Sequence, residues 1–104
     1  MAITGNPQVQ NGALIVANGV RTMFDITAAT VVKTTVGRIC RVSVLVAGTG
    51  TGSVNDASTT GAVAVTNQLA VIPDVVGSYD IDMPVFNGLV ITPGTGQTLA
   101  ISYI

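Results

Sequence analysis

The sequence predicts an all-β fold, an antiparallel β-sandwich, jelly-roll-like, built from roughly eight short strands. Three observations lead there. Gly-containing breaks recur along the chain, at Gly12, Gly19, Gly37, Gly48 to Gly52, Gly61, Gly77, Gly88 and Gly94 to Gly96, with Pro at 7, 73, 84 and 93. The runs between them are too short for crossover helices of about 10–15 residues, so strands joined by turns are expected rather than a parallel sheet. Two of the runs alternate with period two, which is the spacing of a half-buried strand. Hydrophobic residues make up 48% of the chain, yet Trp is absent and aromatic residues contribute only 4%. A core made mainly of Val, Ile, Leu and Ala favours strands, because β-branched side chains fit a pleated surface better than a helix.

Taken in order, the strand-forming segments are residues 13–17, 20–26, 30–35, 37–47, 52–56, 68–72, 78–85, 88–92 and 97–104, with residues 1–12 as an extended N-terminal arm of a single domain spanning 1–104. In 37–47 the pattern puts Cys40, Val42, Val44 and Val46 on a dry face and Ile39, Arg41, Ser43, Leu45 and Ala47 on the other. In 78–85, Tyr79, Ile81, Met83 and Val85 are expected on the core side with Ser78, Asp80 and Asp82 opposite them, and Pro84, which cannot donate to a ladder, marks an edge or an end. The segment 57–73, ASTTGAVAVTNQLAVIP, reads as a loop followed by a strand. Thr59 or Thr60 offers an N-cap for a helical turn, but Gly61 and the β-branched valines oppose one. The last eighteen residues, NGLVITPGTGQTLAISYI, carry no charge. They read as a hairpin, 88–92 and 97–104 about the PGTG turn, with Leu99, Ile101 and Tyr103 inward and Thr98, Ala100 and Ser102 outward.

Charge is the most unusual part of the composition: 9% of residues, against roughly a quarter in an ordinary soluble domain. A formal net charge of −1 leaves little long-range repulsion between copies, a condition that tolerates assembly. The four cations, Arg21, Lys33, Arg38 and Arg41, are too few and too dispersed for a groove that tracks phosphates, so nucleic acid is not an expected partner. The apolar runs are only a few residues long, where about twenty are needed to cross a bilayer, so no membrane span is expected. The start, MAITGNPQVQNG, lacks the basic and apolar regions of a secretion signal, and synthesis in the cytoplasm is expected.

Candidate chemistry is sparse. There is no His, so no Ser-His-Asp or Cys-His constellation is available, and no catalytic residue is expected. Cys40 is the single cysteine. Its neighbours GRICRVSV make it a small buried hydrophobe in a strand, the alternatives being an intersubunit disulfide or a reactive thiol. The GTGTG run lacks the Lys-Ser/Thr and the helix that a phosphate cradle needs, and reads as a flexible loop between strands. Asp80 and Asp82 put two carboxylates on one strand face. A Ca²⁺ site needs six to eight oxygens, so an Arg-paired or solvated face is expected there and no metal or cofactor.

The stretches GRICRVSVLVAGTGTGSVNDASTTGA, QLAVIP and YDIDMPVFNGLVITPGTGQTLAISY, spread over residues 30–104, resemble small proteins of this length encoded among the virion genes of tailed bacteriophages. NGLVITPGTGQTLAISY is the most distinctive of them. The resemblance implies a compact β-sandwich of the head-decoration (cement) or fibre type, often trimeric, that binds a particle surface and carries no catalytic residues. The expected function is therefore that of a non-enzymatic capsid decoration protein on the outer head surface. Its partners would be the major capsid protein and its own copies in a homotrimer, with no small-molecule substrate. A tail or fibre domain that binds a host surface glycan is the alternative.

Overall fold

A computed structural model describes residues 21–104. Eight strands follow one another: β1 (Arg21–Ile26), β2 (Thr30–Lys33), β3 (Gly37–Val46), β4 (Gly52–Asn55), β5 (Gln68–Ile72), β6 (Gly77–Val85), β7 (Leu89–Thr92) and β8 (Thr98–Tyr103). No α-helix occurs among the described residues. Two four-stranded antiparallel sheets form, in the orders β1-β8-β3-β6 and β2-β7-β4-β5. Chain-sequential strands alternate between the sheets except at β4–β5, which is the eight-strand jelly-roll arrangement of two interlocked Greek keys. The expected N-terminal arm and the expected strand at 13–17 lie outside the described residues.

The core lies between the sheets and is aliphatic. Ile39, Val42, Val44, Val85, Leu99 and Ile101 of the first sheet meet Val54, Ile72, Leu89 and Ile91 of the second, with Ile26 closing one side. Burying such side chains stabilises by about 1.5–3 kcal/mol each, so a core without Trp is still sufficient for a domain of this size. Tyr79, Ile81 and Tyr103 pack against this cluster from the periphery, as their alternation indicates, whereas Met83, expected on the core side, is exposed at the edge strand β6.

Two of the expectations are corrected by the pairing. Residues 88–92 and 97–104 do not form a hairpin: β7 pairs with β2 and β4, and β8 pairs with β1 and β3, in the opposite sheet. The PGTG turn is instead a bridge between sheets, because each strand is already flanked by two ladders and both inner faces are apolar. The faces of β3 also differ from simple alternation. Its pairing with β8 passes from Ile39↔Tyr103 to Arg41↔Ser102, which leaves Cys40 as an extra residue. On the other side it passes from Ile39↔Met83 to Arg41↔Asp80, so Cys40 faces both Ile81 and Asp82. A one-residue slip of this kind reverses which side chains point inward. Ile39 therefore joins Val42 and Val44 in the core, while Cys40 is buried outside the contiguous core cluster. A second slip between Val44 and Val46 carries the strand out of the sandwich and leaves both Leu45 and Val46 exposed.

Candidate interaction surface

The paired carboxylates are occupied by arginines. Arg38 Nε donates to Asp82 Oδ1 and Arg41 Nε to Asp80 Oδ1, each at 2.7 Å across the β3–β6 ladder. Arg38 Nη2 also donates to the Asp82 carbonyl at 3.1 Å, which fits the positive φ of 54° that Asp82 adopts in the bulge. The Arg38 hydrogen bond is the main reason the Asp82 carboxyl lies below the usual carboxylate range, with the guanidinium charge adding to it. No group of three or more metal-ligating side chains occurs among the described residues. The two aspartates thus serve the strand pairing.

Cys40 is 7% exposed. Burial pushes its thiol up, the Asp82 carboxylate adds to the shift, and Arg38 opposes it. A shielded thiol with little thiolate at neutral pH is a weak nucleophile.

The glycine-rich loops are structural. The β3–β4 loop and the β7–β8 loop lie against each other, with Thr49 N donating to Thr95 O at 2.8 Å. Gly48 has a φ of 70°, and a side chain there would collide with the Thr95 carbonyl. A Cβ on Gly94 would likewise strike the Gly50 carbonyl. Gln97 completes the lock from a fully buried position: its Oε1 accepts from Gly94 N at 2.8 Å, and its Nε2 donates to Pro73 O at 2.7 Å. The GTGTG run, expected to be a flexible loop, is laced to the rest of this end of the sandwich.

At the opposite end Asp56 acts as an anchor that the sequence did not single out. Its Oδ1 accepts from Asn87 N at 2.7 Å and from Phe86 N at 3.1 Å, Oδ2 accepts from Phe86 N at 3.0 Å, and Gly88 N adds a longer contact of 3.3 Å. Asn55 is buried on the outside of the second sheet, where its Nδ2 donates to Ala64 O and to Asn67 Oδ1. Both acceptors belong to the β4–β5 connection, which contains two 3₁₀ turns, Thr60–Ala62 and Val65–Asn67. The connection therefore lies beside this face, and Val90, the ladder partner of Asn55, is also fully buried. Thr59 does precede a helical turn, though its side chain forms no capping hydrogen bond.

Several large apolar side chains are exposed among the described residues. Leu45 and Val46 at the end of β3 lie past its last pair with β6, Val44↔Gly77, and Val75 and Val76 stand just before Gly77 in the β5–β6 turn. All four are exposed, beside the locked glycine loops. Along the side of the sandwich where β5 and β6 are the edge strands, a groove of about 280 Å³ opens between the sheets. Ala70, Val71, Ile72, Tyr79, Ile81 and Met83 line it. On the outer face of the first sheet, Thr22, Arg41, Ser43, Ala100 and Ser102 line a shallower depression of about 150 Å³. The outward residues of the terminal strand are therefore small and neutral, as read from the sequence. Among the described residues no helix is long and apolar enough to cross a membrane. Comparison with protein-family profiles, with curated proteins and with solved structures gives no match.

Proposed function

We propose that the protein is a non-enzymatic structural component of a tailed-phage virion, a decoration protein that binds the outer surface of the head as a homotrimer after synthesis in the host cytoplasm. The observation that carries this reading is the exposed Leu45, Val46, Val75 and Val76 patch on a surface of very low charge. Contiguous exposed apolar side chains rimmed by neutral groups mark protein interaction sites. The jelly roll supports it as an architecture used by viral shell proteins, and the virion resemblance of residues 30–104 supplies the particle. Phe24 and Phe86 are the exposed aromatic residues and lie on different elements, while Tyr79 packs at the core edge. That arrangement offers a glycan no shared stacking platform, which favours the capsid over the fibre alternative.

The mechanism is thermodynamic. A protein that binds only the assembled shell shifts the assembly equilibrium toward it, and many equivalent sites add avidity. The apolar patch is the surface assigned to the major capsid protein. Leu45→Asp and Val76→Asp, both at exposed positions, should leave the fold intact and reduce the number of copies that co-sediment with undecorated capsids by at least about tenfold, the effect of roughly 1.4 kcal/mol. Unchanged copy number for both variants would contradict this assignment.

A further inference from the structure

Asn87 and Gly88 form an Asn-Gly step in the β6–β7 turn, just before the buried start of β7. In such a step no side chain shields the glycine nitrogen, which can attack the carbonyl carbon of the asparagine side chain. Asn87 is exposed, so water and base reach it, whereas Gly88 is buried. Packing dictates the glycine: a Cβ at position 88 would strike the carbonyl oxygens of Ala57 and Lys33. The turn therefore carries a reactive sequence for a structural reason. Its three consecutive amides converge on one carboxylate. Asp56 Oδ1 accepts from Asn87 N at 2.7 Å and from Phe86 N at 3.1 Å, and Gly88 N lies 3.3 Å from the same oxygen. The nitrogen that would attack is thus held beside an anion. Lys33, which pairs with Leu89 across the β2–β7 ladder, sends its ammonium to the Ile104 carbonyl at 3.0 Å.

We propose that Asn87 is a site of deamidation and that the Asp56 carboxylate holds the reaction off in the folded protein. In this reaction the Gly88 amide loses its proton, its nitrogen bonds to Asn87 Cγ, and the Cγ–Nδ2 bond breaks. The proton leaves with Nδ2 as ammonia, and water then opens the cyclic succinimide to aspartate or isoaspartate, with no oxidant or reductant. A neighbouring negative charge that accepts a hydrogen bond from the Gly88 N–H opposes loss of that proton. The bonds from Phe86 and Asn87 to Asp56 also fix the turn backbone, so ring closure waits on local opening. The products show why the turn needs this guard. Isoaspartate adds a methylene to the backbone just ahead of Leu89, Val90 and Ile91, all fully buried. Aspartate puts a second negative charge into the turn that Asp56 already holds.

This inference is independent of the capsid reading. Timed peptide mapping of the segment containing Asn87, at mildly alkaline pH and with isoaspartate separated from aspartate, reads it directly. Native wild-type protein should convert at Asn87 at least about tenfold more slowly than the same chain in guanidinium chloride. Asp56→Asn keeps an acceptor oxygen but removes the charge, and should convert at Asn87 about tenfold faster than wild type, with thermal unfolding confirming its fold. Gln97→Ala, which breaks a lock at the opposite end of the sandwich, controls for general loss of stability and should convert at the wild-type rate. If Asp56→Asn does not fold, hydrogen exchange of the wild-type Gly88 amide takes its place: protection is expected, and exchange at the unfolded-chain rate would contradict the guard. An Asn87 that stays intact in guanidinium chloride, or that converts equally fast in the native protein, would overturn the proposal. An Asp56→Asn rate equal to wild type, or a Gln97→Ala rate raised as far as that of Asp56→Asn, would remove Asp56 from its role.

Discussion

Asp56 shows how much a single side chain contributes when few are charged. Its carboxylate accepts from the backbone of Phe86, Asn87 and Gly88 and so holds the β6–β7 turn against the end of β4. Asp56→Ala should destabilise the protein by about 1.5–3 kcal/mol, the usual worth of hydrogen bonds to a charged group, read as a lower denaturant midpoint with unchanged slope. Asp56→Asn, which keeps one acceptor oxygen, should lose less. Asp82 makes a prediction in pH. Because Arg38 lowers its folded pKa, the stability it contributes is present above its unfolded pKa, near about pH 4, and is lost as pH falls through the lower folded value. The midpoint followed by carbon-13 shifts of the Asp82 carboxyl should move upward in Arg38→Gln, and an unmoved midpoint would show that the ion pair does not persist in solution. Both groups are exposed, so the effect on overall stability should be small. Asp80 and Asp82 could be read as an Arg-paired face from their i, i+2 spacing. Asp56 could not, because its role depends on a turn thirty residues away, and nothing local distinguishes it from the other aspartates.

Among the elements, strand positions were legible and strand partners were not. Glycine and proline mark where an extended run must stop, and the eight strands expected within residues 20–104 all appear, with β5 matching at both ends. Pairing depends on which faces meet across the core, and a run of small apolar residues followed by PGTG serves a hairpin and a bridge between sheets equally well. Buried Gln97 selects the bridge by joining the β7–β8 loop to Pro73. Gln97→Ala should strand the Gly94 N–H and the Pro73 carbonyl, at about 1–3 kcal/mol for each group left unpaired, measured by thermal or denaturant unfolding. A loss below about 0.5 kcal/mol would mean that water replaces both bonds. The bulge at Cys40 was likewise hidden, since GRICRVSV alternates correctly from Arg41 onward and the slip arises from partners in β6 and β8. That slip moved Ile39 into the core and Cys40 out of the contiguous cluster.

At the scale of the whole molecule, very low charge and an aliphatic core combine with large apolar side chains left exposed. Several polar side chains are spent inside the domain: Arg38 and Arg41 on Asp82 and Asp80, Asp56 on a turn, Gln97 and Asn55 on loops. Available for partners among the described residues are the exposed Leu45, Val46, Val75 and Val76 and the groove between β5 and β6. Contacts of that composition respond weakly to ionic strength, unlike phosphate-dominated binding, which falls by orders of magnitude over the same range. The central claim, that the protein decorates a capsid, is tested most directly by incubating it with undecorated heads at low and moderate salt, sedimenting them and counting bound copies. The predicted result is saturable binding, in a fixed ratio to capsid subunits and in multiples of three, that changes little with salt. A protein that leaves every head bare at both salt concentrations, or one that binds a purified host glycan instead, would contradict it.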